Sequence, residues 1–226
     1  MSTAVGSPLL ESLYGVPVSA AELRGDGDAG ALLPEERLGQ ERWAAKRVSE
    51  FAAGRQCAHL AMRQLGIAPL PLLSQADRRP AWPDGVVGSI THCRSYGAAV
   101  VARKTSVRSL GLDAEVSDAV EPHLWSRILT PHEIAWVHFR PEAERRSWAT
   151  VVFSAKEAFY KCQFNVTGNR LGFSDAEVEI QLPPTEGVFA LVMRSKNVTL
   201  QGRGLVSEGI VRTAFAWPNL KQETGR

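Results

Sequence analysis

Residues 110–116 read Leu110-Gly111-Leu112-Asp113-Ala114-Glu115-Val116. Apolar positions close both ends, so the run reads as a strand that starts at its glycine. Working outward toward the N-terminus, Val86–Ile90 and Ala98–Ala102 are two more short, Val-rich strands. Before them, residues 41–65 carry Val48, Phe51, Ala58, Met62 and Leu65 at helical spacing, with Gly66 as the stop signal. On the other side, Thr130-Pro131-His132-Glu133 is a capped helix start. A longer helix is expected from Pro141 to about Gln163, with Trp148, Val152, Ala155 and Phe159 on its apolar face. Strands are expected at Glu177–Leu182, Val188–Met193 and Gly209–Ala216, the first two joined by a turn at 183–187. Helix then strands, followed by helix then strands, predicts an α+β fold of two halves.

The expected divisions are residues 1–40, 41–110 and 111–226. The first is acidic, with Arg24 and Arg37 against Glu11, Glu22, Asp26, Asp28, Glu35 and Glu36. It reads as a solvated surface or a mobile lid. The whole chain of 226 residues is long enough for a core without metal or disulfide staples. Apolar residues at 44% and charged residues at 22% exclude global disorder and a membrane bundle. A net charge of +2 gives no support to a nucleic-acid partner. Cys57, Cys93 and Cys162 are odd in number and form no C-x-x-C pair, which argues against a disulfide framework or zinc knuckle. No signal peptide and no run of ~18 apolar residues is visible. The expectation is a cytoplasmic protein with no membrane partner.

Three constellations carry possible chemistry. Asp113 and Glu115 are i and i+2 on a strand and so share a face. They read either as solvated strand-end acids or as oxygen ligands for a hard divalent cation. Glu157 and Lys161 are i and i+4 on a helix, either a surface ion pair or an acid/base pair beside the metal. His92 follows Ser89 and Thr91, and with Arg47 and Arg55 it offers groups that suit phosphate. Each is weak alone. Together they supply cations for phosphates, carboxylates for a metal and a group for proton transfer.

Five pieces in register strengthen that reading. They are Lys46-Arg47-Val48-Ser49-Glu50-Phe51 with Gly54-Arg55, then residues 82–92 (Trp82-Pro83-Asp84-Gly85 through Thr91-His92), then Gly111-Leu112-Asp113-Ala114-Glu115. Phe153-Ser154-Ala155-Lys156-Glu157-Ala158-Phe159-Tyr160-Lys161 and Leu171-Gly172-Phe173 complete the set. In this order they resemble the 4′-phosphopantetheinyl transferases of the larger, surfactin/enterobactin type. The run Arg94–Val101 is most similar to actinobacterial members.

The resemblance implies a pseudo-twofold pair of α+β halves with the active site between them. It implies transfer of the phosphopantetheine arm of coenzyme A to a serine of an apo acyl, peptidyl or polyketide carrier protein, leaving 3′,5′-ADP. By motif, Asp113, Glu115 and Glu157 would hold Mg²⁺, with Mn²⁺ as the alternative. Glu157 would also be the base for the serine, and Lys161 would neutralise or protonate the leaving phosphate. Lys156 would support the pyrophosphate. Arg47, Arg55, Thr91 and His92 would bind coenzyme A, helped by Arg78 or Arg79. Ala114 stands where some relatives carry a third acid. The carrier is expected on residues 116–146, at Arg127, Arg140, Arg145 and Arg146 beside Leu124, Trp125 and Ile128. A monomer suffices for two halves in one chain. The competing readings are a Mg²⁺-dependent nucleotide or pyrophosphate hydrolase, and a relic that binds coenzyme A or a carrier without transfer.

Overall fold

Two antiparallel sheets lie side by side in the computed structural model, which describes residues 2–181 and 187–219. The first sheet uses β1 (Val5–Gly6), β2 (Ser19–Arg24), β3 (Val86–Cys93) and β4 (Tyr96–Arg103), in the order β1-β2-β4-β3. The second uses β5 (Val107–Val116), β6 (Ala176–Gln181), β7 (Phe189–Ser195), β8 (Thr199–Ser207) and β9 (Ile210–Pro218), in the order β5-β9-β8-β7-β6. Helix α1 (Pro8–Glu11) is a single turn between β1 and β2. One long helix crosses each sheet: α2 (Ala45–Gln64) on the first and α5 (Arg145–Thr167) on the second. Two shorter helices, α3 (Trp125–Ile128) and α4 (Pro131–His138), precede α5. The Thr130–Glu133 capping box forms as the residues predict.

Each helix buries an apolar stripe. On α2, Ala53, Cys57, Ala58, Ala61 and Met62 pack on Leu23, Ala99 and Val101. On α5, Val152, Ala155, Phe159 and Cys162 pack on Leu191, Met193, Val211 and Phe215. A third cluster joins the sheets on their other face, where Leu10, Tyr14, Tyr96 and Val100 meet Leu110, Leu112, Ala114 and Ala214.

The seam between the sheets is β3 beside β5, and side chains bridge it. The Ser89 hydroxyl accepts from the Leu112 amide at 3.0 Å, and the Thr91 hydroxyl accepts from the Ala114 amide at 3.0 Å. Residues 89 and 91 match 112 and 114 in order, so the two strands run parallel. The intervening Ile90 turns the other way, onto Gly54 of α2.

The structure corrects the reading of residues 1–40. Their first part forms β1, α1 and β2, with Leu10, Ala20, Ala21 and Leu23 fully buried. Several of their acids serve internal bonds rather than solvent. Glu11 accepts from the Ala20 amide, Glu22 from the Tyr96 hydroxyl and Glu36 from the Leu72 amide. Charge counting does not see such partners. The three-residue turn 104–106 separates the sheets. Strand β8 carries no clear strand pattern in its sequence, because Gly202 and Gly204 interrupt it. A Cβ at Gly204 would sit 2.3 Å from the Phe189 ring, so the missing side chain is the seat of an aromatic one. The turn expected at 183–187 lies almost wholly outside the described residues.

Candidate active site

Close packing of α5 on β5 makes the site. A Cβ on Gly111 would fall 1.9 Å from the Ala158 carbonyl oxygen, so only glycine lets the helix ride this low. Asp113 and Glu115 point from β5 toward that helix, while Ala114 turns into the core at 1% exposure. Lys161 reaches back from α5. Its ammonium donates to Asp113 Oδ1 at 2.7 Å and to the Leu112 carbonyl at 3.1 Å. The Thr91 hydroxyl donates to the same Oδ1 at 3.3 Å from across the seam.

The electrostatics are lopsided. Burial, then the neighbouring Asp113 charge, pushes the Glu115 carboxyl up to about 7 against the pull of Lys161, with Glu157 adding to the rise. Burial also raises Glu157, opposed by Lys161 and assisted by Asp113. Three carboxylates thus share one field with one ammonium, which contacts Asp113. Among the described residues, Asp113 Oδ2 is buried with no hydrogen-bond partner. A buried, unpaired carboxylate oxygen is costly unless a cation or donor completes it. The donor set, all carboxylate oxygen, suits a hard divalent ion. Among the described residues, no three His, Cys, Asp or Glu side chains are already closed around one point. The fit rests on the shared field and the orphaned oxygen.

Other expected residues fall in different places. His92 ends at the site rim, with Nε2 3.2 Å from Arg47 Nη1. A guanidinium only donates, so Nε2 accepts and this ring is neutral. Burial first, then Arg47 and Lys161, holds His92 below its ordinary value, against Glu50. Arg47 lies 4.0 Å from Glu50 and over the Trp43 ring.

Arg55 is 5% exposed and does not join this rim. Its Nε donates to the Leu72 carbonyl at 2.8 Å, and its guanidinium lies 4.1 Å over the Phe51 ring. Burial lowers it to about 10, against the nearby Glu36. Glu36 accepts from the other side of the same residue, the Leu72 amide, at 2.9 Å. Arg55 and Glu36 therefore clamp the start of the segment that carries Arg78 and Arg79. Arg79 is stapled to α5 through Asn165 at 3.0 Å and lies over Phe164, while Arg78 is exposed.

Lys156 requires a correction. It is 3% exposed, and its ammonium donates to Glu133 Oε2 at 2.7 Å, Ile128 O at 2.9 Å and Phe173 O at 2.7 Å. Those are all three of its donors, so none remains for a pyrophosphate. Glu133 had shown itself in the sequence only as a capping residue. Its second partner comes from a distant element, which no local pattern signals.

Two cavities flank the cluster and share Tyr160. One, about 210 Å³, sets the cations Arg78, Arg79 and Lys161 and the acid Asp77 among apolar side chains such as Trp82 and Phe164. The other, about 190 Å³, is lined by Lys156, Glu157, Phe159, Leu171 and Phe173. A larger groove of about 580 Å³ lies along β7–β9 near Tyr14, and its described lining carries no carboxylate.

The expected docking segment also changes. Trp125 and Ile128 are core residues at 8% and 9% exposure. Arg146 pairs with Glu121, and Arg140 lies over Trp136. Arg127 is exposed, and the exposed apolar side chain of the segment is Phe139, at 84%.

Residues 34–102 match the 4′-phosphopantetheinyl transferase N-terminal domain, and residues 109–198 match the 4′-phosphopantetheinyl transferase superfamily. The chain is 38% identical to the 4′-phosphopantetheinyl transferase PptT of Mycobacterium tuberculosis, over 95% of this chain and 98% of that protein. It is 36% identical to the 4′-phosphopantetheinyl transferase Svp of Streptomyces mobaraensis, covering 84% and 80%. Identity to enterobactin synthase component D of Escherichia coli is 34%, over 59% and 62%. Two α+β halves meeting at an acidic seam, matched over nearly their whole length, establish that this chain belongs to the 4′-phosphopantetheinyl transferases, which transfer phosphopantetheine from coenzyme A to carrier proteins.

Proposed function

We propose that the seam between β3 and β5 is where this transfer occurs, with Mg²⁺ or Mn²⁺ held by Asp113, Glu115 and Glu157. The observation that carries this reading is the buried, unpartnered Asp113 Oδ2 among three carboxylates that share one lysine. When bound, the ion offsets negative charge on the coenzyme A pyrophosphate.

The chain's own groups divide the remaining work. The carrier serine Oγ bonds to the phosphorus that bears pantetheine, and the bond from that phosphorus to the bridging oxygen breaks. The electron pair leaves with 3′,5′-ADP. The serine proton passes to Glu157, whose raised pKa makes it a stronger base than an ordinary carboxylate. Lys161 offsets charge on the leaving phosphate. Arg47 and His92, at the rim, are suited to further phosphate oxygens, and Arg78 is free to reach them.

Cavity chemistry supports an orientation for coenzyme A. Its polyanionic nucleotide end suits the basic cavity at Arg78, Arg79 and Lys161. Its uncharged pantetheine arm suits the cavity at Phe159, Leu171 and Phe173, beside Glu157. The carrier is assigned to residues 116–146, where Arg127 and Phe139 are exposed. Three unpaired cysteines support a reducing, cytoplasmic setting. Among the described residues, no helix is long and apolar enough to cross a membrane. We take the working unit as a monomer, because both sides of the seam come from one chain.

The test mixes protein, coenzyme A and Mg²⁺ with apo carriers and weighs the carriers intact. A gain of one phosphopantetheine group, lost in Glu157→Gln and on chelation, supports the reading. Unchanged carriers with cleaved coenzyme A would indicate hydrolysis instead.

A further inference from the structure

The cavity assigned to the pantetheine arm has two walls. One is the face of α5 that carries Lys156, Glu157, Phe159 and Tyr160, and the other is the segment from Leu171 to Ala176. Two contacts tie the walls together. The Phe153 and Phe173 rings meet at 5.7 Å between centroids, and the Lys156 ammonium donates to the Phe173 carbonyl at 2.7 Å. The second is the polar, directional tie. It starts one residue from Glu157, on the same helix.

Lys156 is itself held. Glu133 Oε2 receives its ammonium at 2.7 Å and also accepts from the Thr130 amide at 2.7 Å. Glu133 Oε1 accepts from the Val178 amide at 2.8 Å, just beyond the loop wall. Both side chains are at most 3% exposed. One buried ion pair therefore gathers the end of α3, the start of α4, α5, Phe173 and β6. A buried pair that is fully hydrogen-bonded adds little net stability over apolar residues of like size, yet losing one partner is costly. Its use lies in fixing geometry.

We propose that Glu133 and Lys156 are positioning residues for the transfer, setting the width of the arm cavity by holding the Phe173 carbonyl against α5. Lys156 is itself part of that wall, acts on the pantetheine end of coenzyme A by holding the opposite wall, and makes no contact with phosphate. This rests on the assignment of that cavity to the arm.

Two ligands separate the possibilities, because 3′,5′-ADP has the nucleotide end of coenzyme A and lacks the arm. Calorimetric titration of each is made with wild type, Lys156→Met, Glu133→Gln and the paired Glu133→Leu/Lys156→Met protein. The paired variant replaces the ions with apolar side chains and keeps the protein folded if either single change does not. The expected result is coenzyme A affinity weakened about tenfold, the worth of one charged hydrogen bond, with 3′,5′-ADP affinity changed less than about twofold. In transfer assays KM for coenzyme A should rise more than kcat falls. Equal weakening of both ligands by Lys156→Met would overturn the proposal, since it would make Lys156 a phosphate ligand. Unchanged coenzyme A affinity in the folded variants would overturn it as well. A wild-type protein that binds 3′,5′-ADP as tightly as coenzyme A would refute the arm assignment itself, apart from any result with the variants.

Discussion

Thr91 and Asp113 meet across the seam between the two sheets. The Thr91 hydroxyl donates to Asp113 Oδ1 at 3.3 Å while it accepts from the Ala114 amide at 3.0 Å. One side chain on the first half thus steadies the carboxylate and its strand on the second. Replacing it with valine keeps the shape and removes both bonds. Thr91→Val should cost about 1–3 kcal/mol in chemical denaturation, the penalty for a buried unsatisfied amide. Transfer should fall with it, and Thr91→Ser should restore both.

Asp113→Ala addresses charge rather than seam. It takes one carboxylate from a crowded acidic site and so relieves the pressure on Glu115. We expect transfer to fall by on the order of 10²–10³, the scale of losing one electrostatic contact at a reacting centre. The metal-free protein should stay folded in circular dichroism. Unfolding at neutral pH would make Asp113 structural.

Glu115 ties metal affinity to pH. Its folded value is about 7 against an ordinary 4.5, so between these pH values the folded chain holds a proton that the unfolded chain has lost. Metal-free stability therefore declines as pH rises through that window and levels off above it. An ion that needs the carboxylate displaces the proton. Thermal stabilisation by Mg²⁺ should be larger at about pH 8 than at about pH 6. Equal stabilisation at both would count against Glu115 as a ligand.

Glu36 behaves in the opposite sense. Burial works to raise its pKa, but bonds from His59 and from the Leu72 and Leu33 amides, with the His59 charge, bring it below 4.5 overall. A depressed carboxylate stabilises the fold above its unfolded value, and that gain is lost as pH falls through the folded one. Glu36→Gln should flatten this acid limb in denaturation midpoints taken from neutral pH downward. Because Glu36 and Arg55 clamp Leu72 from both sides, affinity for 3′,5′-ADP should drop in the same variant.

Charge reversal at the exposed Arg127 tests the docking face. Arg127→Glu should raise KM for an acidic carrier about tenfold, within the range seen for charges at interfaces. Coenzyme A binding, measured by calorimetry, should not change.

Local pattern carried the long elements and the acids. Both long helices announce themselves by apolar spacing, and Asp113 and Glu115 share a face by strand geometry alone. What escaped depends on distant partners. Glu22 and Glu36 read as surface charge until Tyr96 and Leu72 arrive from other elements. Lys156 and Arg55 lie in motifs that suggest phosphate, but Glu133 and the Leu72 carbonyl engage them first. Strand β8 escaped because its glycines complement rings on neighbouring strands, a relation visible only after pairing.

A backbone ladder is indifferent to which residues build it, so it transmits few substitutions. The joint between β3 and β5 is spelled in hydroxyls at Ser89 and Thr91. Its spacing is therefore inherited letter by letter. A point change there removes a bond across the joint that no neighbouring backbone pair replaces, so the fit between the halves depends on two particular side chains.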